Sequence, residues 1–478
     1  MVKLLNLPGD RCLEALRHAL KWVIAPELQS PLAKHYAHLA EIVLARWIAL
    51  EVKLPQIERS FADANDAHLR RAREALRGMA PEVLSGEAGM TLPTVLNRLA
   101  AFLPKASAHE AATIRALLRD AVASDAAARK AFEVAVAEVT RAVESGESPK
   151  QFSIDPERLE SYLQERFAAQ GPVRVRSVNP LPGGRSKETV LFEIEAHPTL
   201  PPSMVIRMDA GRYGTSVSAE FPLLVALHRA KLPVPEPLWL EERAEVLGGA
   251  FIVTRRMAGA PPGTLWDVSG ASQSIGLALA DVLAKIHATP LRHLSPSNCD
   301  ASQPLVRAML ADNEARWRAA MPLPSVAMEA AYCWMAEKAP GLDAPASLVH
   351  GDPGFHNMIV KDGKLECLLD WEFAHPGDPA EDLAYCRPSV EQIMPWADFM
   401  TQYRGSGGPE INAERLQFFE IWRCLRNATL AANMLYDVSR GAASGLEMAA
   451  VAVNTYPRFE AQLASSLERV MALTAAEP

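Results

Sequence analysis

Apolar residues in the first third of the chain recur at intervals of three or four, which places them on one face of a helix. One such stripe contains Leu32, Tyr36, Leu39, Val43, Trp47 and Leu50. A second stripe contains Ile114, Leu117, Leu118, Ala121 and Val122. Ser107 and Glu110 stand just ahead of the second stripe with the spacing of a capping box, which predicts a helix start. Residues 1–145 are therefore predicted to form an all-α domain of unknown role.

After these helices the spacing of apolar residues changes. A stretch rich in Gly, Ser and charged residues predicts a linker at residues 146–160, with a short helix beginning at Pro156. Apolar runs rich in β-branched residues predict strands at Val173–Val178, Thr189–Ile194, Met204–Met208 and Ala250–Thr254. A helix is predicted at Ser218–Ala230. Residues 161–257 should thus form a small sheet-rich lobe, and residues 258–478 a larger, mainly helical lobe.

Length and charge limit the classes of protein to be considered. A chain of 478 residues is too long for one ordinary hydrophobic core, so two or three domains are expected. The net charge is −8 without a long basic run, which argues against nucleic acid as a partner. No apolar run approaches the roughly 20 residues of a membrane span, and the first residues do not resemble a secretory signal. The six cysteines form no Cys-x-x-Cys pair, which favours reduced thiols in a cytoplasmic protein.

The segment Leu348–Arg387 carries the clearest chemistry. Asp352 follows His350-Gly351, Asn357 lies five residues beyond Asp352, and Asp370 lies thirteen residues beyond Asn357. This order and spacing is typical of the catalytic loop of a kinase. A carboxylate with a pKa of about 4 is too weak to ionise an alcohol beforehand, but it can orient the alcohol and accept its proton late. Asp352 is the candidate for that role, and His350 is predicted to brace the loop.

A magnesium site is predicted beside Asp352. Mg²⁺ prefers hard oxygen ligands and keeps several waters, so two or three protein ligands suffice. The amide oxygen of Asn357 and the carboxylate of Asp370 are the first candidates. Glu372 would point to the same side as Asp370 if the chain stays extended, and it would then support the metal directly or through water.

The small lobe offers a phosphate loop and a cation. Gly183, Gly184 and Ser186 lie between two predicted strands, where backbone N–H groups can approach phosphate oxygens. Arg207 stands inside an apolar strand, where its charge is costly unless paired, and Glu220 in the next helix is its predicted partner. Kinases place a lysine in such a strand to bind phosphates, and arginine can bind the same oxygens. The alternatives are an ordinary hairpin turn at the glycines and an edge strand with Arg207 in solvent.

These motifs resemble the aminoglycoside phosphotransferase-like family, also called the phosphotransferase enzyme family, over residues 170–470. The motif Leu369-Asp370-Trp371-Glu372 and the later Gly377-Asp378-Pro379 are most similar to the branch related to the kinase domains of acyl-CoA dehydrogenase family members 10 and 11. The resemblance implies an α+β, two-lobed protein-kinase-like fold, here preceded by an all-α domain. It also implies Mg²⁺, ATP or GTP as phosphoryl donor, a small hydroxyl substrate, and Asp382 as a brace for the catalytic loop.

The predicted function is a small-molecule kinase that phosphorylates the hydroxyl of a metabolite, such as a hydroxyacyl thioester. An aminoglycoside is polycationic and needs an acidic site, whereas residues 409–478 hold eight acidic and six basic residues. Arg423 and Arg426 could meet an anionic substrate group, although exposure to solvent is the favoured interpretation. The alternatives are an aminoglycoside O-phosphotransferase and a catalytically silent, kinase-like nucleotide-binding regulator. The apolar stripes of the N-terminal helices would also suit a homodimer.

Overall fold

The computed structural model describes residues 17, 20–28, 31–52, 54–79, 90–140, 154–181, 187–209, 216–264, 267–291, 302–320, 325–342, 345–439 and 446–475. The chain divides into two compact units. The first, called the helical unit, comprises Met1–Glu147, Val306–Leu342 and Glu420–Pro478. The second, called the mixed unit, comprises Ser148–Leu305 and Asp343–Phe419.

The described α-helices of the first half of the chain are α1 (Pro31–Val52), α2 (Leu54–Met79), α3 (Leu92–Phe102), α4 (Ala108–Thr140), α5 (Pro156–Arg166) and α6 (Val217–Arg229). Those of the second half are α7 (Gln273–Ala288), α8 (Ser302–Ala320), α9 (Val326–Lys338), α10 (Ala380–Val390), α11 (Trp396–Gly405), α12 (Ala413–Ser439) and α13 (Leu446–Ala475). A π-helical turn at Leu20–Ile24 and a 3₁₀ turn at Ala25–Glu27 precede α1.

The described strands are β1 (Val175–Leu181), β2 (Lys187–Ile194), β3 (Ser203–Asp209), β4 (Pro237–Glu241), β5 (Phe251–Arg255), β6 (Ser347–Val349), β7 (Met358–Lys361), β8 (Lys364–Leu368) and β9 (His375–Gly377). The first five form one antiparallel sheet in the order β1-β2-β3-β5-β4. The other four form two small antiparallel pairs, β6 with β9 and β7 with β8. These nine described strands lie in the mixed unit.

The core of the helical unit confirms the second predicted stripe and corrects the first. The residues of the second stripe, on α4, are all buried, and Ser107 with Glu110 forms the predicted capping box at the start of that helix. On α1, Leu39 is buried but Trp47 is 52% exposed, while its neighbour Ile48 is buried. The side chains of Leu32, Tyr36 and Leu50 lie outside the described part of the structure, and among the other members of the stripe Trp47 does not belong to the buried face.

The compact units divide the chain differently from the predicted segments. Residues 306–342 and 420–478 were predicted to belong to a C-terminal lobe, but they pack with the N-terminal helices. The reason is visible in α9, which is buried on nearly every side and contacts α3 and α4. A helix that is apolar all round needs neighbours on all its faces. Within the predicted linker, residues up to 153 lie outside the described residues, and α5 begins at Pro156.

One face of the five-stranded sheet is apolar, and the other face carries three charged side chains beside apolar ones. Side chains of β2, β3 and β5 on the apolar face, among them Phe192 and Ile206, pack against Leu159 and Tyr162 of α5. The side chains of Lys187, Arg207 and Asp209 alternate with the apolar ones and lie on the other face. The alternation in the sequence therefore puts these charged side chains on one side of the sheet, while the other side packs into a hydrophobic core.

Further down the chain, the mixed unit has a core built from α6, α7, α10 and α11. It buries Leu279 and Leu283 of α7 with Leu383 of α10 and Phe399 of α11, and it surrounds the segment around β6. This core fixes the position of the loop that follows β6. Among the helices that the structure describes, none is both long enough and apolar enough to cross a lipid bilayer.

Candidate active site

The loop that follows β6 depends on a glycine. Gly351 has a φ of 82°, a conformation that side chains rarely adopt. A Cβ atom on Gly351 would lie 2.7 Å from the backbone oxygen of Phe373, closer than real contacts allow. The loop can therefore pass against the Trp371–Phe373 turn only because residue 351 has no side chain.

Asp382 of α10 holds the same loop by its backbone. Its two carboxylate oxygens accept hydrogen bonds from the N–H groups of His350 and Gly351, both at 2.8 Å. Asp382 is fully buried, and burial alone would raise its pKa. The hydrogen bond from His287 and the charges nearby outweigh burial, so the pKa of Asp382 is lowered and the carboxylate stays ionised. The expectation that Asp382 braces the loop is confirmed in its geometry.

His287, a further hydrogen-bond partner of Asp382, was not predicted from the sequence. The Nε2–H group of His287 on α7 donates to Asp382 at 3.0 Å, and the hydroxyl of Tyr403 lies 2.8 Å from its Nδ1. His287 is buried among the apolar residues of α7. A buried histidine needs hydrogen-bond partners, so its position on that apolar face is the signal that could have identified it.

His350 links the loop to the segment before Asp370. Its Nε2–H group donates to the backbone oxygen of Leu369 at 2.9 Å, and its Nδ1 accepts the N–H of Asp352 at 3.1 Å. Burial lowers the pKa of His350, which favours the neutral ring that this pattern of one donor and one acceptor requires. His350 therefore acts on the geometry of Asp352 and Asp370 without facing solvent, since it is fully buried.

Asn357 is hydrogen-bonded to Asp352 and to Leu369, the residue before Asp370. Its side-chain Nδ2–H donates to the backbone oxygen of Asp352 at 3.0 Å, and its own backbone oxygen accepts the N–H of Leu369 at 2.7 Å. Asn357 ends the 3₁₀ turn Phe355–Asn357 and is buried. Because its amide nitrogen is used within the loop, its amide oxygen is the atom left for a cation.

Asp370 stands at a sharp bend after β8. Its backbone is left-handed, with φ of 67° and ψ of 66°, and the 3₁₀ turn Trp371–Phe373 follows at once. Residues other than glycine take this conformation rarely, and such strain is concentrated at functional sites. The side chain of Asp370 is 30% exposed. Glu372 was expected to point to the same side as Asp370 only if the chain stayed extended. The chain is not extended there, because the N–H of Ala374 donates a 3.0 Å hydrogen bond to the backbone oxygen of Trp371 and closes a turn.

Arg207 lies on β3, between β2 and β5, and not on an edge strand. Its guanidinium contacts Glu220 Oε1 at 2.6 Å, the predicted ion pair, and Asp370 Oδ1 at 2.5 Å. Burial alone would lower the pKa of Arg207, but the carboxylates of Glu220, Asp370 and Glu372 outweigh it and raise the pKa above the ordinary value. The alternative of a solvent-exposed Arg207 is wrong, since 17% of its side chain is exposed.

Three further residues that contact charged groups near the site were not predicted from the sequence. Lys187 at the start of β2 is 2% exposed, and its Nζ lies 2.7 Å from Asp209 Oδ1. Arg415 binds both oxygens of the buried Asp378, at 2.9 and 2.5 Å, just ahead of α10. His356 Nε2 lies 3.5 Å from Asp352 Oδ2.

The described site has oxygen ligands suited to Mg²⁺ but no larger metal cluster. Among the residues that the structure describes, no three His, Cys, Asp or Glu side chains are grouped as a metal site. An Asn amide oxygen and one carboxylate nevertheless fit Mg²⁺, which retains waters and binds substrate phosphates. The predicted phosphate-loop residues Gly183, Gly184 and Ser186 lie outside the described residues.

Comparison with known proteins gives the class of the chain. The sequence model of the phosphotransferase enzyme family matches residues 177–426, more than half of the 478 residues. The chain therefore belongs to the phosphotransferase enzyme family, as its motifs predicted, and it is a kinase-like member of the transferases.

Two similar proteins are much longer than the region that they share with this chain. Acyl-CoA dehydrogenase family member 11 of Gallus gallus is 28% identical over 262 residues, which cover 51% of this chain and 32% of that protein. Acyl-CoA dehydrogenase family member 10 of Mus musculus is 29% identical over 175 residues, which cover 36% of this chain and 16% of that protein. The matched region is thus a third or less of the length of these relatives.

A solved structure supports the fold. The structure of a candidate aminoglycoside phosphotransferase from Ralstonia eutropha has a TM-score of 0.52 and 19% sequence identity, covering 66% of this chain and 99% of that one. At this identity the likeness concerns the fold alone. The predicted α+β, kinase-like fold, with a small antiparallel sheet, a larger helical part and further helices at the N-terminus, is confirmed.

Proposed function

We propose that this protein is a small-molecule kinase that transfers the terminal phosphoryl group of a nucleotide to a substrate hydroxyl. The observation that carries the proposal is a pair of hydrogen bonds that links Asn357 to the backbone of Asp352 and to the residue before Asp370. The side-chain amide of Asn357 donates a hydrogen bond to the backbone oxygen of Asp352. The backbone oxygen of Asn357 accepts a hydrogen bond from the N–H of Leu369, the residue before Asp370. Membership of the phosphotransferase enzyme family supports the same conclusion.

Asp352 is proposed to accept the proton of the attacking hydroxyl. Its side chain is 15% exposed, so a substrate can reach it while most of the group stays fixed. His350 and Asp382 hold the loop by its backbone and therefore set the direction of the carboxylate. Phosphoryl transfer has a loose transition state, for which positioning and charge stabilisation supply most of the catalysis.

Asn357 and Asp370 are proposed to hold Mg²⁺ with the nucleotide. The ion supplies charge neutralisation for the phosphates when it is bound. Arg207 has a planar fork of donors, one side of which holds Glu220. The other side contacts Asp370 in this structure and is the side we assign to a phosphate oxygen of the donor. Gly183, Gly184 and Ser186 remain the proposed phosphate loop, and the donor is ATP or GTP.

A hydroxylated metabolite, such as a hydroxyacyl thioester, is the proposed acceptor. The likeness to acyl-CoA dehydrogenase family members 10 and 11 supports this class, although the matched region is only part of those proteins. Arg423 and Arg426 were expected in solvent, but both are half-buried on α12.

A ³¹P NMR screen with Mg·ATP and Mg·GTP tests the acceptor class. Hydroxyacyl thioesters, other hydroxylated metabolites and aminoglycosides would be incubated with the protein in parallel. We expect a new phosphomonoester resonance with a hydroxylated metabolite. Preferential phosphorylation of an aminoglycoside would overturn the acceptor class. Nucleotide binding without turnover of any acceptor would instead favour the silent, regulatory alternative.

A further inference from the structure

Lys187 is a lysine buried within the mixed unit. It opens β2, is 2% exposed and pairs across the sheet with Asp209 of β3. An ammonium group removed from water loses a large solvation energy, and a protein retains it only where carboxylates compensate. The carboxylates around Lys187 therefore determine what this buried cation can do.

Among the residues that the structure describes, the carboxylates of Asp209 and Glu372 lie within 4.0 Å of Lys187 Nζ. Asp209 Oδ1 is at 2.7 Å and Glu372 Oε2 is at 3.9 Å. The side chain of Glu372 is only 4% exposed, so the interaction between Lys187 and Glu372 is poorly screened by water. Glu372 was the third candidate for the metal, and in the structure a protein cation stands beside it.

The contacts of Lys187 belong to a larger network of ion pairs and hydrogen bonds around Asp370 and Glu372. Asp209 also accepts the N–H of Val217, at 3.1 Å, where α6 begins. The same helix carries Glu220, which holds Arg207, and Arg207 contacts Asp370. Asp370 and Glu372, two residues apart, are thus held by two different cations from neighbouring strands.

We propose that Lys187 is a positioning residue that keeps Glu372 as its ion-pair partner, so that Glu372 is not a ligand of the divalent metal. The proposal rests on the proposed function, in which Asn357 and Asp370 bind the metal. Lys187 belongs to a central strand and is buried, so a metal ion would have to separate a buried ion pair to reach Glu372. Asp370 also contacts a cation, Arg207, but its side chain is 30% exposed against 4% for Glu372, so a hydrated metal ion reaches Asp370 at a lower cost.

Binding of Mn²⁺ with ADP, followed by electron paramagnetic resonance, tests the assignment. Glu372→Gln should retain the wild-type affinity for Mn²⁺, whereas Asp370→Asn should weaken it at least about tenfold, since it removes a direct oxygen ligand. Lys187→Met should bind Mn²⁺ more tightly than wild type, because the change removes the buried cation beside Glu372. The double variant Lys187→Met/Glu372→Gln should return to the wild-type affinity, and Lys361→Met, at an exposed lysine, is the control.

Equal losses of Mn²⁺ affinity in Glu372→Gln and Asp370→Asn would overturn the proposal, as would unchanged or weaker binding by Lys187→Met. A second measurement does not depend on metal. In urea unfolding, Lys187→Met should lower the midpoint, and adding Glu372→Gln should raise it again; additive losses would contradict the pairing. If wild type binds no Mn²⁺ with ADP, the proposed function fails, while the urea series still decides whether Lys187 and Glu372 are paired.

Discussion

The guanidinium of Arg207 lies 2.5 Å from the carboxylate of Asp370, although the two residues are 163 positions apart in the chain. This contact joins the central strand of the five-stranded sheet to the bend that follows the catalytic loop. Glu220 holds the other side of the same guanidinium. The position of the proposed metal ligand therefore depends on a cation from the sheet.

Replacing Arg207 by Met should destabilise the protein and weaken nucleotide binding. The change leaves Glu220, with 1% of its side chain exposed, without its cation. Breaking a buried ion pair from one side costs about 3–5 kcal/mol. Urea unfolding would measure the loss, and titration with ADP would measure the affinity.

Arg255 on β5 offers a matched control for Arg207. It also pairs with a carboxylate, Glu236, but both side chains are well exposed, at 47% and 38%. Exposed ion pairs contribute about 0–1 kcal/mol, so Arg255→Met should have little effect on unfolding. Equal losses for Arg207→Met and Arg255→Met would show that the contacts of Arg207 with Glu220 and Asp370 carry no special weight.

Gly351→Ala should disturb the catalytic loop. The added Cβ would stand 2.7 Å from the backbone oxygen of Phe373, at a φ of 82°. A strained backbone conformation of this kind costs about 1–3 kcal/mol, and the loop should also lose turnover as it shifts. Gly405→Ala is the control, since a Cβ there meets nothing within 4 Å and residue 405 lies in a helix. If Gly405→Ala lowered stability as much as Gly351→Ala, the tight approach to Phe373 would not be the cause.

The buried ring of His350 should make stability depend on pH. Burial lowers the pKa of His350, whereas an unfolded histidine titrates near a pKa of about 6.5. Below that pH the histidine binds a proton in the unfolded chain but binds it less readily in the folded protein. The free energy of unfolding therefore falls as the pH falls. The slope from one such group is at most about 1.4 kcal/mol per pH unit. Above pH 6.5 this contribution is fully present.

Urea unfolding between pH 5 and 8 would measure this dependence. His350→Gln should reduce the slope below pH 6.5, whereas His228→Gln, at an exposed histidine, should leave it unchanged. Asp382, whose pKa is lowered by its hydrogen bonds, contributes with the same sign at more acidic pH. The same slope in wild type and His350→Gln would refute the assignment to His350.

The sequence predicted the parts of the site whose evidence is local. The order of Asp352, Asn357 and Asp370 is a short-range pattern, and a loop of fixed length brings such residues together. The pairing of Arg207 with Glu220 followed from the cost of an unpaired charge inside an apolar strand. The residue roles in catalysis and metal binding remain predictions.

Other contacts depend on packing that the sequence does not encode locally. Arg415 comes to Asp378, and His287 to Asp382, only because α12, α7 and α10 meet in one core. Strand β4 escaped prediction because it begins with Pro237, a residue that is uncommon in strands. The expectation for Glu372 assumed an extended chain, and the left-handed Asp370 changed the direction of the segment.

Mg²⁺-dependent nucleotide turnover by wild type and Asp352→Asn, followed by ³¹P NMR alongside ADP affinity, tests the central claim most directly. Removing a general base costs about 10²–10⁴-fold in rate. We predict a loss of that size in Asp352→Asn with nearly unchanged ADP affinity, because Asp352 is assigned to the acceptor and not to the nucleotide. Equal turnover by the two proteins would contradict the account.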